Sequence, residues 1–155
     1  MKHLRISQSA ATLVLSSVLS VAVLGAGIDT VGPGDGAFTH HAMAILLQGV
    51  SNADAAESGG GAGVKALATK VQSDEITIGD QLVSLASFYG ISVSTNAPKA
   101  STDAAGYTAD QAKSLSSLIT LFENEASSGG SQLRTFASNS LPTLRADLSA
   151  VQAHT

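Results

Sequence analysis

The sequence predicts an all-α fold, an up-down four-helix bundle with a kinked last helix. Three observations predict it. Val64, Leu67, Val71, Glu75, Ile78, Leu82, Leu85 and Tyr89 recur at spacings of three and four, the stripe of an amphipathic helix. Glycine pairs or runs at Gly59–Gly63 and Gly129-Gly130 separate such segments, and glycine is the poorest ordinary helix former. No stretch of the mature chain alternates with the period of two that a half-buried strand needs.

The chain opens with a leader. Lys2, His3 and Arg5 precede an apolar run from Ala10 to Ala26, and Gly25, Ala26 and Gly27 are small. This is the three-part pattern of a cleaved Sec-type signal peptide, assigned to residues 1–26. The cut could follow Gly25, Ala26 or Gly27. The competing reading is an uncleaved anchor, but a spanning helix wants roughly 20 predominantly apolar residues and several Ser interrupt this run. The chain has no cysteine, so the lipoprotein route, disulfides and thiolate chemistry are excluded. Export to the periplasm or medium is therefore expected. Residues 27–36, with Pro33 and several Gly, read as a flexible linker, and 37–155 as the bundle.

The first helix is expected from about Ala37 to Ser58. Phe38, His41, Ile45, Gln48 and Asn52 share one face, and Met43, Leu46, Leu47 and Val50 lie beside or opposite it. The second runs from Val64 to Tyr89, about 39 Å at 1.5 Å per residue, with Gly90 as its stop. Ile91 to Tyr107 has no sustained period and reads as a loop. Thr108-Ala109-Asp110-Gln111 has the form of a capping box. It opens a third helix carrying Gln111, Leu115, Leu118, Phe122 and Ala126. Ser131 is the expected cap of the fourth, whose stripe is Leu133, Phe136, Ala137, Leu141, Leu144, Leu148 and Val151. Pro142 inside that stripe removes a backbone bond and predicts a kink near Asn139.

The charge limits the partners. Of 8 basic residues Lys2 and Arg5 lie in the leader, which leaves 6 against 12 acidic, a net −6. Nucleic acid needs clustered Lys and Arg, so no nucleic-acid role is expected. A polybasic membrane-surface role is disfavoured too, and no stable membrane insertion is expected after leader cleavage. No Gly-x-Ser-x-Gly elbow occurs, and the glycine run lacks the Lys-Ser or Lys-Thr of a phosphate loop.

Leu121-Phe122-Glu123-Asn124-Glu125-Ala126, Leu133-Arg134-Thr135-Phe136-Ala137 and Leu141-Pro142-Thr143-Leu144-Arg145 resemble an exported bacterial family, domain of unknown function 4142. Val64-Lys65-Ala66-Leu67-Ala68 and the helix end at Gly90-Ile91 look similar too. The resemblance spans about Ala37 to Gln152 and implies a ferritin-like helical fold. Members often carry one His on each of the last three long helices. Those positions fall here on Glu75, Leu115 and Asp147, and a polar position of the first helix falls near Gln48. None of the three is His, so the chain resembles a diverged member.

Glu75 is the most informative single residue. On the apolar stripe its carboxylate is costly unless paired or solvated. It is either a ligand or hydrogen-bonding centre inside the bundle, or it sits at the edge of a drifting stripe and reaches water, the usual behaviour of charged helix residues. Asp147 flanks the fourth stripe and could face it. Glu75, Asp147 and Gln48 are the weak candidates for a divalent metal, as hard oxygen donors. No Glu-x-x-His, the di-iron bundle motif, occurs in the chain. His40 and His41 point about 100° apart on a helix and cannot share an ion. His41 is expected as an interfacial histidine with a satisfied ring.

The expected function is that of a non-enzymatic binding or structural protein, without a cofactor, of the periplasm, in a setting of envelope stress. Its partner would be an envelope protein or a second copy of the chain. The alternative is a degenerate ferritin-like metal binder.

Overall fold

The computed structural model describes residues 31–155. The leader and the first part of the linker lie outside the described residues. The chain forms α1 (Asp35–Gly59), α2 (Ala62–Phe88), α3 (Tyr107–Ser128) and α4 (Ser131–Gln152), with no strand among the described residues. This is the all-α four-helix bundle of the sequence expectation. α1 packs on α2 and α3, and α4 packs on α3 and α2. The pairs α1/α4 and α2/α3 therefore face each other across the diagonals.

The linker expectation is corrected at its end. Asp35 and Gly36 belong to α1, and the Asp35 carboxylate holds the turn before it by accepting from Gly32 N at 2.7 Å. Its other oxygen accepts from Gly130 N at 3.1 Å. Asp35 thus places negative charge at the start of α4, where a helix dipole favours it. The cap position of α4 is Gly130, and Ser131 stands inside the helix, so the expected Ser131 cap is not the one used.

α1 and α2 are joined by Gly60 and Gly61 alone, which makes them antiparallel neighbours. α2 ends as the glycine predicted. Gly90 has φ 67°, Gly90 N donates to Ser87 O at 3.1 Å, and Ile91 N donates to Ala86 O at 2.8 Å. That is a Schellman motif, which needs a left-handed residue at this position.

The connection from α2 to α3 departs from strict up-down alternation. It climbs back along α1. Ser51 Oγ donates to Pro98 O at 2.7 Å, Gln48 Nε2 to Lys99 O at 3.1 Å, and Ser101 N to Asn52 Oδ1 at 2.8 Å. Ala104 arrives beside Gly59. Hence α3 starts at the end where α2 starts, and the order is up-down-down-up with one long crossover, the connectivity of ferritin-like bundles. Three side chains on α1 facing this strap decide it, because they satisfy backbone groups that no helix or sheet pairs.

The core is small and aliphatic, with an aromatic end. Phe122 of α3 meets Phe38 of α1 with ring centroids 5.1 Å apart, and Phe136 of α4 at 5.5 Å. On α1 the buried face runs through Phe38, Ala42, Leu46, Gly49, Ala53 and Ala56. This face lies to one side of the expected line through His41 and Gln48. α1 is apolar over a wide arc, so periodicity alone could not choose its inward side. α4 is one continuous helix with Pro142 inside it, and Pro142 is exposed, which keeps its missing amide on the solvent side.

Candidate functional site

Glu75 points inward. It is 1% exposed, so the reading that takes it to solvent at the stripe's edge is overturned. Two neighbours meet its carboxyl group. Gly49 of α1 lies against the carboxyl group, and a Cβ there would stand 2.7 Å from the carboxyl carbon. From α3, Gln111 Nε2 donates to Glu75 Oε1 at 2.6 Å. Gln111 is fully buried. Its side chain is spent on Glu75 and the helix begins at Tyr107 with Gly106 at the cap, so the expected capping box does not form. Asp103 Oδ1 instead accepts from Ala105 N and Gly106 N, each at 3.0 Å, and orders the turn into α3.

Asp147 of α4 is fully buried. Lys70 of α2 reaches it from the surface: its ammonium bonds Asp147 Oδ1 and also Asp74 Oδ2, the latter at 2.8 Å. The Lys70 side chain is 54% exposed and that of Asp147 is fully buried, so the pair joins a buried carboxylate to a solvated ammonium. Tyr107, at the first turn of α3, is fully buried and feels the charges of both Glu75 and Asp147.

Four polar atoms in this centre have no protein partner: Glu75 Oε2, Gln111 Oε1, Tyr107 Oη and Asp147 Oδ2. A buried polar atom left unpaired costs about 1–3 kcal/mol, and buried polar groups are ordinarily paired. The energetics show in the proton affinities. Burial pushes the Glu75 carboxyl up to about 8, against the opposing bond from Gln111 and with help from the charge of Asp147. Burial raises Asp147 as well, and the bond from Lys70 works against it. Lys70 is raised by its bond to Asp147 and then by that to Asp74. Tyr107 is raised by burial and by the carboxylates around it.

A second carboxyl pair closes the opposite end. Glu125 of α3 is 5% exposed, and its Oε1 has no partner. Burial, then the charge of Asp35 and a bond to it, push Glu125 up to about 7. Glu125 was read from the sequence only as part of a family segment. Ala126 was expected on the stripe instead, and it is half-buried.

The candidate residues separate. Glu75 and Asp147 are both buried, and the charge of Asp147 acts on Glu75. Gln48 does not join them: its amide donates to Asn52 Oδ1 at 3.0 Å and to Lys99 O, on the face that holds the crossover. Leu115 is a core residue. His40 and His41 are both exposed, so His41 is not interfacial. His40 instead borders a cleft of about 340 Å³ between α1 and the crossover, shared with Met43, Leu47, Gln48, Val93 and Pro98. A more open hollow lies beyond it, between Ser58 and Thr102.

The ferritin-like connectivity raises the question of a two-metal carboxylate centre. The donors do not fit one. Such centres draw a Glu-x-x-His pair from each of two helices, and among the described residues no three His, Cys, Asp or Glu side chains gather in a metal-binding group.

No protein-family model, no curated protein and no solved structure matches the chain.

Proposed function

We propose that this chain is an exported, non-enzymatic helical bundle of the periplasm, a diverged relative of domain of unknown function 4142. It acts there by binding or by structural support, with an envelope protein or a second copy as partner. What supports the reading is a separation within the bundle. The acidic groups with displaced proton affinities, Glu75, Tyr107, Glu125 and Asp147, are buried, while the clefts at the surface are lined by the crossover and the outer side of α1. None of the four lines either cleft. A catalytic acid or base has to reach its substrate within hydrogen-bond distance, and these groups lie under packed helices. Among the described residues no helix is long and apolar enough to cross a membrane.

Two measurements test this. The intact mass of the exported product should show removal of about the first 26 residues, and a retained leader would make the protein a tethered one. Turnover of any hydrolytic or redox substrate that disappears in Glu75→Ala would overturn the non-enzymatic reading.

A further inference from the structure

Two carboxyl groups meet where three helix ends converge. Asp35 opens α1, Glu125 lies in the last turn of α3, and Gly130 caps α4. Asp35 is fully buried, Glu125 is nearly so, and the two side chains are bonded to each other. Glu125 packs on Gly129, where a Cβ would stand 2.6 Å from its carboxyl carbon. A count of donors locates the proton between them. Asp35 accepts on both oxygens, from Gly32 N at 2.7 Å and from Gly130 N at 3.1 Å. No donor reaches Glu125 Oε1. Two carboxyl groups in contact cannot both be ionised, so the hydrogen belongs to Glu125, which donates it to Asp35. Neighbouring charges do not relieve the pair. Asp35 is the one charge that acts on Glu125 among the described residues, and α2 and α4 supply none. Arg134 of α4 faces the Gly129 carbonyl instead, donating from Nε at 3.2 Å and Nη2 at 2.9 Å.

We propose that Asp35 and Glu125 form a proton-operated latch on the segment that leads into α1. With one proton between them they clamp the Gly32–Asp35 turn onto the start of α4; without it they part and the turn lets go. The step is a simple ionisation: the Glu125 hydroxyl gives its proton to solvent, and only hydrogen bonds rearrange. Two buried negative charges then repel each other, and the turn is the part free to yield. Pro33 and Gly34 are exposed. Gly32 is tied down through Asp35, by its amide on the carboxylate and by its carbonyl on Asp35 N at 3.2 Å. Beyond the turn α1 stays in place, since Thr39 Oγ1 donates to Asp35 O at 2.6 Å and Phe38 packs on Phe122. Release therefore opens one end and leaves the bundle intact. It also bares the Gly130 amide at the start of α4, one of the groups a helix leaves without an internal partner. Burial and the charge of Asp35 bring Glu125 up to about 7, so the latch is closed in mild acid and open in mild base. It belongs to the chain alone, whatever its partner.

The experiment is NMR of the isotope-labelled protein from about pH 5 to 9. It follows the Glu125 carboxyl carbon and the amides of Gly32 and Gly130. The Gly60 amide, bonded to Ala56 O at 2.7 Å at the other end of α1, reports any opening of the whole bundle. Glu125 should titrate with a midpoint near 7. The Gly32 and Gly130 amides should shift with that same midpoint and lose about tenfold or more of their protection from exchange, while Gly60 keeps its own. Glu125→Gln imitates the protonated side chain and can still donate to Asp35, so both amides should stay protected to the end of the range. Asp35→Asn should lower the Glu125 midpoint by about one unit, because the repelling charge is gone and burial remains. Ionisation of Glu125 that leaves the two amides unmoved overturns the latch. So does release at the same pH in a folded Glu125→Gln, a Glu125 midpoint unchanged in Asp35→Asn, or Gly60 opening in step with the turn.

Discussion

The side-chain amide of Gln111 donates to Oε1 of Glu75 at 2.6 Å, joining α3 to α2 across a diagonal of the bundle. Both residues are buried from solvent. The two helices have little other contact, so this bond is a specific tie between segments that face each other through the centre. Buried polar pairs of this kind hold register, because a slip of either helix leaves two polar groups without partners in an apolar interior.

Stability should fall as pH rises. Glu75 titrates near 4.5 when unfolded and about 8 when folded. Below pH 4.5 both states hold the proton and there is no penalty. Between 4.5 and 8 the unfolded chain releases its proton first, so the folded state loses ground, and above 8 the loss is complete. The full loss is on the order of 3–5 kcal/mol. Denaturant titrations from pH 4 to 9, with chelator present, should show this slope. Glu75→Gln should remove most of it and be more stable than the parent at pH 8.

Gly49→Ala should destabilise the bundle by about 1–3 kcal/mol, because the new methyl overlaps the Glu75 carboxyl group. At an exposed helix site the same change would stabilise by about 1 kcal/mol. The sign of the measured shift therefore reads the contact directly. In a Glu75→Ala background the Gly49→Ala change should become neutral or favourable, a coupling that a double-mutant cycle measures.

Asp35→Ala should cost about 2–3 kcal/mol, since it strips a charged acceptor from the amides of Gly32 and Gly130. The midpoint in urea should fall with the slope unchanged. Glu125→Gln works on the same end of the bundle. Glu125 is raised from 4.5 to about 7, so its share of stability is present below pH 4.5 and lost as pH rises through 7. The variant should make the profile less steep between those values and leave the loss that Glu75 contributes from 4.5 to 8 in place.

Gly90→Ala should lower stability by about 1 kcal/mol. Its φ of 67° is a conformation that side chains with a Cβ adopt at a cost. Gly34→Ala, at a glycine with negative φ and open space around its Cα, is the matched control and should change stability little.

Much of this was legible in the chain. The stripe of α2 was read residue by residue, and its stop at Gly90 was too, because a period of 3.6 and a left-handed glycine are local properties. Glu75 was legible on the stripe of α2 and Asp147 beside the stripe of α4, and both are buried. Gln111 was visible as a stripe residue but was assigned to a cap, since Thr108-Ala109-Asp110-Gln111 satisfies the local pattern and only the facing helix offers Gln111 a better partner. Tyr107 was missed because it stood at a loop boundary. Gln48 was misplaced because α1 is apolar almost all round and lacks a single stripe.

The sequence by itself determined the helices, the glycines that stop them and the presence of a carboxylate on an apolar face, because propensity, periodicity and glycine geometry act over a few residues. The tertiary structure decided the crossover, the side of α1 that faces inward, and whether Glu75 is solvated or enclosed. Those depend on which helix lies across the diagonal. Gly49, Gln111 and Tyr107 come from different segments of the chain, and only packing brings them around one carboxyl group.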